Sequence, residues 1–523
     1  MANHPRTRKR VHATIPRRAP DGSAFKNCDT CGETVAIALA DWHECENKKK
    51  ELKRFKGVSG IHKRSQKTHY GLEDRISCLS DDILVSILSY LTIKGATRTC
   101  VLSRRWEKLW TFRTNLVFDG TETLYSIEDD IQYESFCEFE RFQFIGLVNK
   151  VVESHKGQIL DEFRICFDLG YRHSSMIDHW IHFAARSKVK RLELNFTQDW
   201  YSFKLPYIFP NLTHDSLNFH QMGKLGPDSF SSLTSLCLNS LHSDSQSIEY
   251  FLSNCPSLEE LCLHGVPHLE NLKVYGSSLK HLKIICCLVL DNLEISATSL
   301  VSFMYYGFMG TNMSFKSLPS LVESYIGGFY CNDLKYMFSQ LFSGCLSKLT
   351  KLTWTLFSGC LSKLTKLTLD CEWMQLDFPE NYPQLINLKQ LELKVTEYKY
   401  QSILPCLELI EACPMLSRLK MKTSLHEQFQ GSLDLEWKAP KESHKRLELV
   451  EMVGFIAFST AGEFLINLIH NTMSLKKIII DAPKEIDYFN FTLWDYKVEA
   501  RKFADERLKM ALKMAPSIEV VIK

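Results

Sequence analysis

Cys28-x2-Cys31 and, further on, His43-x-Cys45 bring three thiols and an imidazole into one short stretch of chain. Thiolate and imidazole are the ligands zinc prefers, and four of them close a structural site. His43 and Cys45 are two residues apart. On a helix they would point away from each other, whereas on an extended segment they share a side, so the site demands a strand or turn there. So short a segment cannot bury enough surface to fold alone, and a bound metal would have to supply the folding energy. The spacing therefore predicts a zinc knuckle over residues 21–47. A weak redox pair, or a chance cluster in a chain with 18 cysteines, are the competing readings.

The rest of the chain must account for its 523 residues, enough for three to four domains. With 45% hydrophobic and 24% charged residues it has the composition of a globular protein. No long apolar run lacks charge, which argues against a membrane-spanning helix. The start, Met1-Ala2-Asn3-His4-Pro5-Arg6, has no apolar stretch of the kind that opens a signal peptide. Most cysteines sit singly beside leucines, as Cys237, Cys262 and Cys406 do, which suits small, buried, reduced thiols in a cytosolic or nuclear protein. The net charge of +2 hides an asymmetry, because residues 1–70 carry 16 Lys/Arg against 7 Asp/Glu. A basic head on an acidic body suggests a targeting or nucleic-acid-facing segment, with a solvated, mostly disordered tail as the plain alternative.

Within the head, Lys9-Arg10-Val11, Asp21-Gly22-Ser23-Ala24-Phe25-x2-Cys28-x2-Cys31 and Ala38-Leu39-x-Asp41-x-His43-x-Cys45 resemble the segment that precedes the box in certain plant HMG-box proteins. The resemblance covers about 50 residues (roughly residues 9–56) and no HMG box follows. DNA bending by such a box is therefore not implied. A zinc-dependent nucleic-acid or chromatin-associated protein remains the alternative function.

The next stretch reads Asp74-Arg75-Ile76-Ser77-Cys78-Leu79-Ser80-Asp81-Asp82-Ile83-Leu84-Val85-Ser86-Ile87-Leu88-Ser89-Tyr90-Leu91, and later Thr99-Cys100-Val101-Leu102-Ser103-Arg104-Arg105-Trp106-x2-Leu109-Trp110. Ser80 predicts an N-cap, and Asp81 and Asp82 then lie in the first turn, where the helix dipole favours acids. Leu84, Ile87, Leu88 and Leu91 fall on one helical face. Gly95 interrupts the pattern, a second short helix runs to about Cys100, and Ser103 caps a third that presents Trp106, Leu109 and Trp110. Three such helices cannot hide this much apolar surface by themselves, so another domain or another protein must cover some of it.

This stretch resembles the F-box of plant F-box/leucine-rich-repeat proteins, whose usual form begins DRIS-x-LP and ends near SVLS-(K/R)-RW. The resemblance implies docking onto a Skp1-type adaptor of SCF ubiquitin ligases. Carried over by position, the adaptor-binding residues are Leu79, Ser80, Ile83, Leu84, Ile87, Leu88, Leu91, Val101, Leu102 and Trp106. Ser80 stands where the family usually has proline, which loses a rigid apolar ring.

Downstream, L-x2-L-x-[LIV] recurs, at Leu233/Leu236/Leu238, Leu258/Leu261/Leu263, Leu269/Leu272/Val274 and Leu279/Leu282/Ile284, with further copies from Leu290, Leu300, Leu321, Leu364, Leu388, Leu416 and Leu475. Leu258, Leu279, Leu300 and Leu321 keep a fixed period, and Leu269 and Leu290 keep the same period half a turn out of phase. A repeat of this length and signature predicts a leucine-rich-repeat solenoid with one strand per coil along a concave face. The out-of-phase copies predict a second short strand on the opposite wall. Residues between the leucines, including Thr234, Ser235, Glu259, Glu260, Lys280, His281, Lys389 and Gln390, are expected to show on the concave face. Their charges are mixed, which suits a protein partner better than a nucleic acid. One segment breaks the period: residues 341–353 recur verbatim at 356–368, so one copy is expected to loop out.

Toward the end, His444-Lys445-Arg446-Leu447-x2-Val450-x-Met452-Val453-Gly454-Phe455, an amphipathic helix with Phe464, Leu465, Leu468 and Ile469, a strand at Ile478-Ile479-Ile480, a helix over Ala500–Met514 ended by Pro516, and a final strand over Ile518–Ile522 resemble the FBD-type region of the same family. The expected fold is α/β: residues 1–70 a basic segment with the zinc knuckle, 71–115 the F-box, 116–440 the repeats and 441–523 an FBD-like closure. No P-loop, G-x-G-x-x-G, H-E-x-x-H or G-x-S-x-G motif is present. The resemblance implies a non-catalytic substrate receptor, with the F-box holding the adaptor and cullin-RING assembly, the repeats holding a target protein, and no cofactor beyond the zinc.

Overall fold

Leucines two apart with polar residues between them make a strand with one wet and one dry face, and the chain repeats that unit many times over. The computed structural model describes strands Phe25–Asn27 and Thr34–Ala36, residue 76, and then 78–121, 133–196, 229–338, 363–371, 382–397, 402–425, 443–482 and 496–523, apart from a few short gaps. It divides into two units, Met1–Cys78 and Leu79–Lys523, each taken by itself.

In the first unit, β1 (Phe25–Asn27) and β2 (Thr34–Ala36) pair antiparallel, with Asn27 opposite Thr34. Cys28 and Cys31 belong to the connection between these strands. They and His43 and Cys45, all four predicted zinc ligands, lie outside the described residues.

The second unit opens with three short helices: α1 (Asp81–Ser89), α2 (Ile93–Arg98), continued by a 3-10 turn at Thr99–Val101, and α3 (Trp106–Leu109), continued by a 3-10 turn at Trp110–Phe112. Gly95 does not interrupt the pattern as expected. It lies inside α2, and its N–H donates to the Thr92 hydroxyl at 3.1 Å as the cap of that helix. The third helix is not capped by a Ser103 side chain; instead the Ser103 carbonyl accepts from Trp106 N at 3.1 Å. Leu84, Leu88, Ala96, Trp106 and Leu109 close a small core of their own.

The solenoid begins at β3 (Asn115–Asp119) and continues through β4 (Glu162–Cys166), β5 (Arg191–Asn195), β6 (Ser235–Asn239), β7 (Glu260–His264), β8 (Asn271–Tyr275), β9 (His281–Ile285), β10 (Asn292–Ser296), β11 (Ser302–Gly307), β12 (Asn312–Ser317) and β13 (Glu323–Gly328). Then follow β14 (Lys366–Cys371), β15 (Gln390–Glu397), β16 (Arg418–Leu425), β17 (Leu449–Val453), β18 (Lys477–Asp481) and β19 (Glu519–Ile522). Fourteen of these strands form one sheet in the order β19-β18-β17-β16-β15-β14-β13-β11-β9-β7-β6-β5-β4-β3, with every described neighbour pair parallel. The out-of-phase copies at Leu269 and Leu290 lead into β8 and β10, the expected second strands, which with β12 make the separate sheet β12-β10-β8.

The backbone explains the fixed period. At each corner one carbonyl accepts two N–H groups from the next coil: Thr234 O from Glu259 and Glu260, Glu259 O from Lys280 and His281, Lys280 O from Val301 and Ser302. On the inner side, Leu236, Leu261, Leu282, Leu367, Leu391 and Leu419 are buried in one continuous core, each stabilising the coil by roughly 2 kcal/mol. Helices cover the flanks where the coil is longer: α4 (Tyr133–Ser154), α5 (Ser174–Arg186), α6 (Ser245–Asn254), α7 (Cys406–Glu411) and α8 (Thr460–His470). Of the duplicated segment, residues 341–353 lie outside the described part, whereas Leu364 and Leu367 of the second copy serve as an ordinary coil leading into β14.

The C-terminal end holds the expected order. Phe464, Leu465, Leu468 and Ile469 are all buried on α8. Gly454 takes φ +71°, and a Cβ there would stand 2.3 Å from Thr423 O, so only glycine suits the close approach of this turn. The last helical run starts earlier than expected, at Tyr496, and carries a π turn at Ala504–Leu508 before ending at Leu512. Pro516 lies outside the described residues. Among the described residues no helix is long and apolar enough to cross a membrane.

A buried carboxylate ties this end together. Glu397 closes β15, is 0% exposed, and its Oε2 accepts from Thr460 N at 2.9 Å and Thr460 Oγ1 at 2.7 Å, at the start of α8. Burial raises its pKa above the ordinary carboxylate value, against the lowering effect of these hydrogen bonds. Because the folded value is raised, the stability this group contributes is complete below the unfolded pKa and is lost as pH rises through the folded one. Glu397→Gln, titrated by thermal unfolding beside the parent, should therefore gain stability relative to it as pH climbs through that window. A difference that does not change with pH would refute the assignment.

Candidate functional site

The first exposed surface is on the three-helix knob. Alternation on α1 separates two faces that differ by one residue in the sequence. Leu84 and Leu88 point inward, and Ile83, Ile87 and Leu91 point outward, 48%, 43% and 42% exposed. The turn after α2 adds Val101 and Leu102, at 87% and 63%. Of the ten residues the sequence assigns to adaptor docking, these five and Ser80 are on the surface, and Leu79 is half-buried. Leu84, Leu88 and Trp106 are not on the surface: they make the knob's own core, because a unit this small needs its largest side chains inside. Tyr90, 92% exposed, was missed; it follows Ile87 by three residues on the outward side, so the same helical spacing could have found it.

Ser80 makes no side-chain cap bond, contrary to expectation. Its carbonyl still accepts from Leu84 N at 3.1 Å. Its φ of −67° is the value a proline ring imposes, so the helix entry keeps the geometry of the usual residue without its ring. Arg105 fixes this corner by pairing with Asp81 at 2.6 Å and donating to Leu79 O.

The knob is anchored to the solenoid through its other side. Ile93 joins the solenoid core. Arg113, 3% exposed, donates from Nη2 to Leu91 O at 2.7 Å and Ser89 O at 3.4 Å, where the α1 dipole is negative. Its own carbonyl receives the His155 Nε2–H at 2.9 Å, and burial holds that imidazole below its ordinary pKa, in the neutral form. The solenoid thus grips the end of α1 and leaves its outward row uncovered.

The second surface is the open face of the long sheet. The residues predicted there occupy its edge. Thr234, Glu259, Lys280 and Lys389 are the corner residues whose carbonyls step from coil to coil, and Ser235, Glu260, His281 and Gln390 open the strands. The middle of the face holds Lys283, Met304 and Tyr325, which the sequence reading passed over, and Cys237 and Cys262, which are partly exposed there and not buried as their leucine neighbours suggest. Its charges are largely paired across strands, as Lys283 with Glu260 at 3.1 Å, Lys366 with Glu323 at 3.5 Å and Lys420 with Glu392 at 3.4 Å. Where Gly327 leaves room, Asp370 accepts from Tyr325 Oη and from Lys394 Nζ at 2.9 Å, with the ammonium 5.1 Å from the Tyr325 ring centre. A face neutralised in this way offers shape and hydrogen bonding, and among the described residues it shows no basic stripe of the kind a nucleic-acid groove needs. Among the described residues no group of three or more His, Cys, Asp or Glu side chains could hold a metal ion.

Comparison with known proteins assigns both parts. The F-box domain model matches residues 76–117, and the model described as the At1g61320/AtMIF1 LRR domain matches residues 151–522. In Arabidopsis thaliana, the F-box/FBD/LRR-repeat protein At5g22660 is 26% identical over 407 residues, 73% of this chain and 83% of that protein. The F-box/LRR-repeat protein At3g58900 is 29% identical over 269 residues, 48% of this chain and 79% of that one. The F-box/FBD/LRR-repeat protein At2g04230 is 32% identical over 223 residues, 40% of this chain and 47% of that one. With three further relatives of these kinds the match spans 65%, 69% and 44% of their own lengths. An apolar three-helix knob leading into a leucine-rich solenoid, matched by models of both over most of its length, makes this chain a member of the F-box/leucine-rich-repeat family.

Proposed function

We propose that the chain is the substrate-recognition subunit of an SCF-type E3 ubiquitin ligase. The outward face of the knob seats a Skp1-type adaptor, the open face of the long sheet holds a target protein, and ubiquitin transfer is carried out by an E2 on the RING subunit. The observation that carries the reading is the row Ile83, Ile87 and Leu91, apolar and exposed on a knob whose other side is fixed to the solenoid. Exposed apolar surface of this kind is costly in an isolated chain and useful at an interface. The chain's own contribution is proximity, since tethering raises the effective concentration of target lysines beside the E2 and no group of the chain need touch the reacting atoms. The test is to compare proteins captured by the parent chain and by a knob-surface variant with the proteasome blocked. The target should accumulate, modified with ubiquitin, on the parent, and unmodified on the variant; equal modification on both would contradict the reading.

A second reading concerns residues 1–70, supported by the β1/β2 hairpin on either side of Cys28-x2-Cys31. With His43 and Cys45 these thiols would hold zinc, and the basic head would meet nucleic-acid phosphates. Binding of the full chain to duplex DNA should then weaken steeply with salt and be lost with a zinc chelator. Binding indifferent to the chelator would remove the metal from the reading. The two readings are compatible in one nuclear receptor.

A further inference from the structure

Cys237 in β6 and Cys262 in β7 stand directly opposite each other in the parallel register, in the middle of the open face. Both are free thiols and both are half-exposed. Neighbouring strands run about 4.8 Å apart, inside the range of roughly 4.4–6.8 Å over which two Cα atoms can be bridged by a disulfide. Among the described residues no other two cysteines face each other in register. Most of the others are buried, and burial makes them inert, pushing the Cys255 thiol up to about 12 and Cys166 to about 11.

The surroundings make the two sulfurs unequal. On the neighbouring strands, Lys283 in β9 stands opposite Cys262 and Glu193 in β5 stands opposite Cys237, so a cation flanks one thiol and a carboxylate the other. The neighbouring Cys237 thiol first, and the lysine charge after it, hold the Cys262 thiol below its ordinary pKa against the effect of burial. The neighbouring Cys262 sulfur, with burial and the carboxylates of Glu193 and Glu260, pushes Cys237 up. A thiolate is the attacking species in disulfide exchange, so Cys262 is the nucleophile and Cys237 the thiol held ready beside it.

We propose that Cys262 and Cys237 form a thiol–disulfide exchange site on the open face, whose co-reactant is a low-molecular-weight disulfide of the glutathione type. Cys262 Sγ attacks one sulfur of that disulfide. Its S–S bond breaks, one thiolate leaves and takes up a proton, and a mixed disulfide remains on Cys262. Cys237 Sγ then attacks Cys262 Sγ, releasing the second small thiol with the Cys237 proton. Two protein thiols are oxidised by two electrons and one small disulfide is reduced to two thiols. Side chains opposite each other on parallel strands keep their Cβ atoms about a strand spacing apart, wider than the roughly 3.8 Å of a relaxed disulfide. The bridge would be strained, and strained disulfides are readily reduced. A regulatory use of the bridge rests on the open face being the target surface; the exchange chemistry does not.

The experiment incubates the reduced full chain across ratios of glutathione disulfide to glutathione, blocks remaining thiols with N-ethylmaleimide, and digests without reduction. A glutamate-specific protease cuts after Glu249 and Glu259, so that Cys237, Cys255 and Cys262 fall in different peptides. Mass spectrometry should find a Cys237–Cys262 linked pair, with loss of both alkyl labels as the ratio rises and their return on adding glutathione. In Cys237→Ser the second step is blocked, and glutathione should stay on Cys262. The proposal is overturned if both peptides keep full label at ratios where the exposed Cys78 takes up glutathione. It is equally overturned if the serine variant collects glutathione on the half-exposed Cys286 and not on Cys262.

Discussion

Ile83→Asp/Ile87→Asp should abolish capture of a Skp1-type adaptor while leaving the unfolding temperature of the chain unchanged. Both side chains are about half exposed on α1, one turn apart, and neither belongs to a core. In the free chain the new carboxylates stay in water and cost little. In the complex they would be desolvated against apolar surface without a partner, at ~2 kcal/mol or more each. Two of them weaken binding by at least about 4 kcal/mol, close to a thousandfold. Co-purification followed by thermal unfolding checks both halves. A variant that folds normally and still captures the adaptor would place the docking surface elsewhere.

Trp106→Ala should have an effect of similar size for a different reason. Trp106 is 7% exposed and packs with Leu84, Leu88, Ala96 and Leu109 in a core of five buried residues. Truncating a buried tryptophan costs roughly 3–5 kcal/mol, and a unit this small has little stability to lose. The knob should unfold while the solenoid, whose core meets the knob at Ile93 and Trp110 and otherwise lies apart from Trp106 and its partners, keeps its transition. Limited proteolysis checks this: new cleavage is expected within residues 81–112 of the variant, with the strands β4 to β19 as protected as in the parent. Adaptor capture should also fall, but together with the knob's structure, which separates this variant from the surface one. Resistance to protease equal to the parent's would show that Trp106 is not a core residue.

The two variants touch the point where sequence reading ran short. Residues 84, 87, 88 and 91 fit one helical stripe, yet the structure divides them, Leu84 and Leu88 inward and Ile87 and Leu91 outward. On a helix apolar nearly all round, periodicity cannot say which side meets its own chain and which a partner. The solenoid was far more legible, since each leucine pair recurs at a spacing that the corner carbonyls enforce, and even the second strands β8 and β10 were visible in the half-period copies at Leu269 and Leu290, though β12, with Met313 and Phe315 at its buried positions, was not. The open face was read toward its edge. Ser235, Glu260, His281 and Gln390 open the strands on that face and Thr234, Glu259 and Lys280 stand at the corners, whereas the central positions, two residues further along β6, β7 and β9, hold Cys237, Cys262 and Lys283. A leucine motif marks what is buried and says less about which of the remaining residues stands at the middle of the wet side. Contacts between distant segments, such as Glu397 with Thr460 or Arg113 with Leu91, leave no local pattern at all.

Hydrogen exchange of the full chain with and without a purified Skp1-type adaptor tests the central assignment most directly. The account predicts slowed exchange over Asp81–Leu91 and the Thr99–Leu102 turn, with β6 to β15 unchanged. Protection confined to the strands of the solenoid, or no protection anywhere in the knob despite binding, would contradict it.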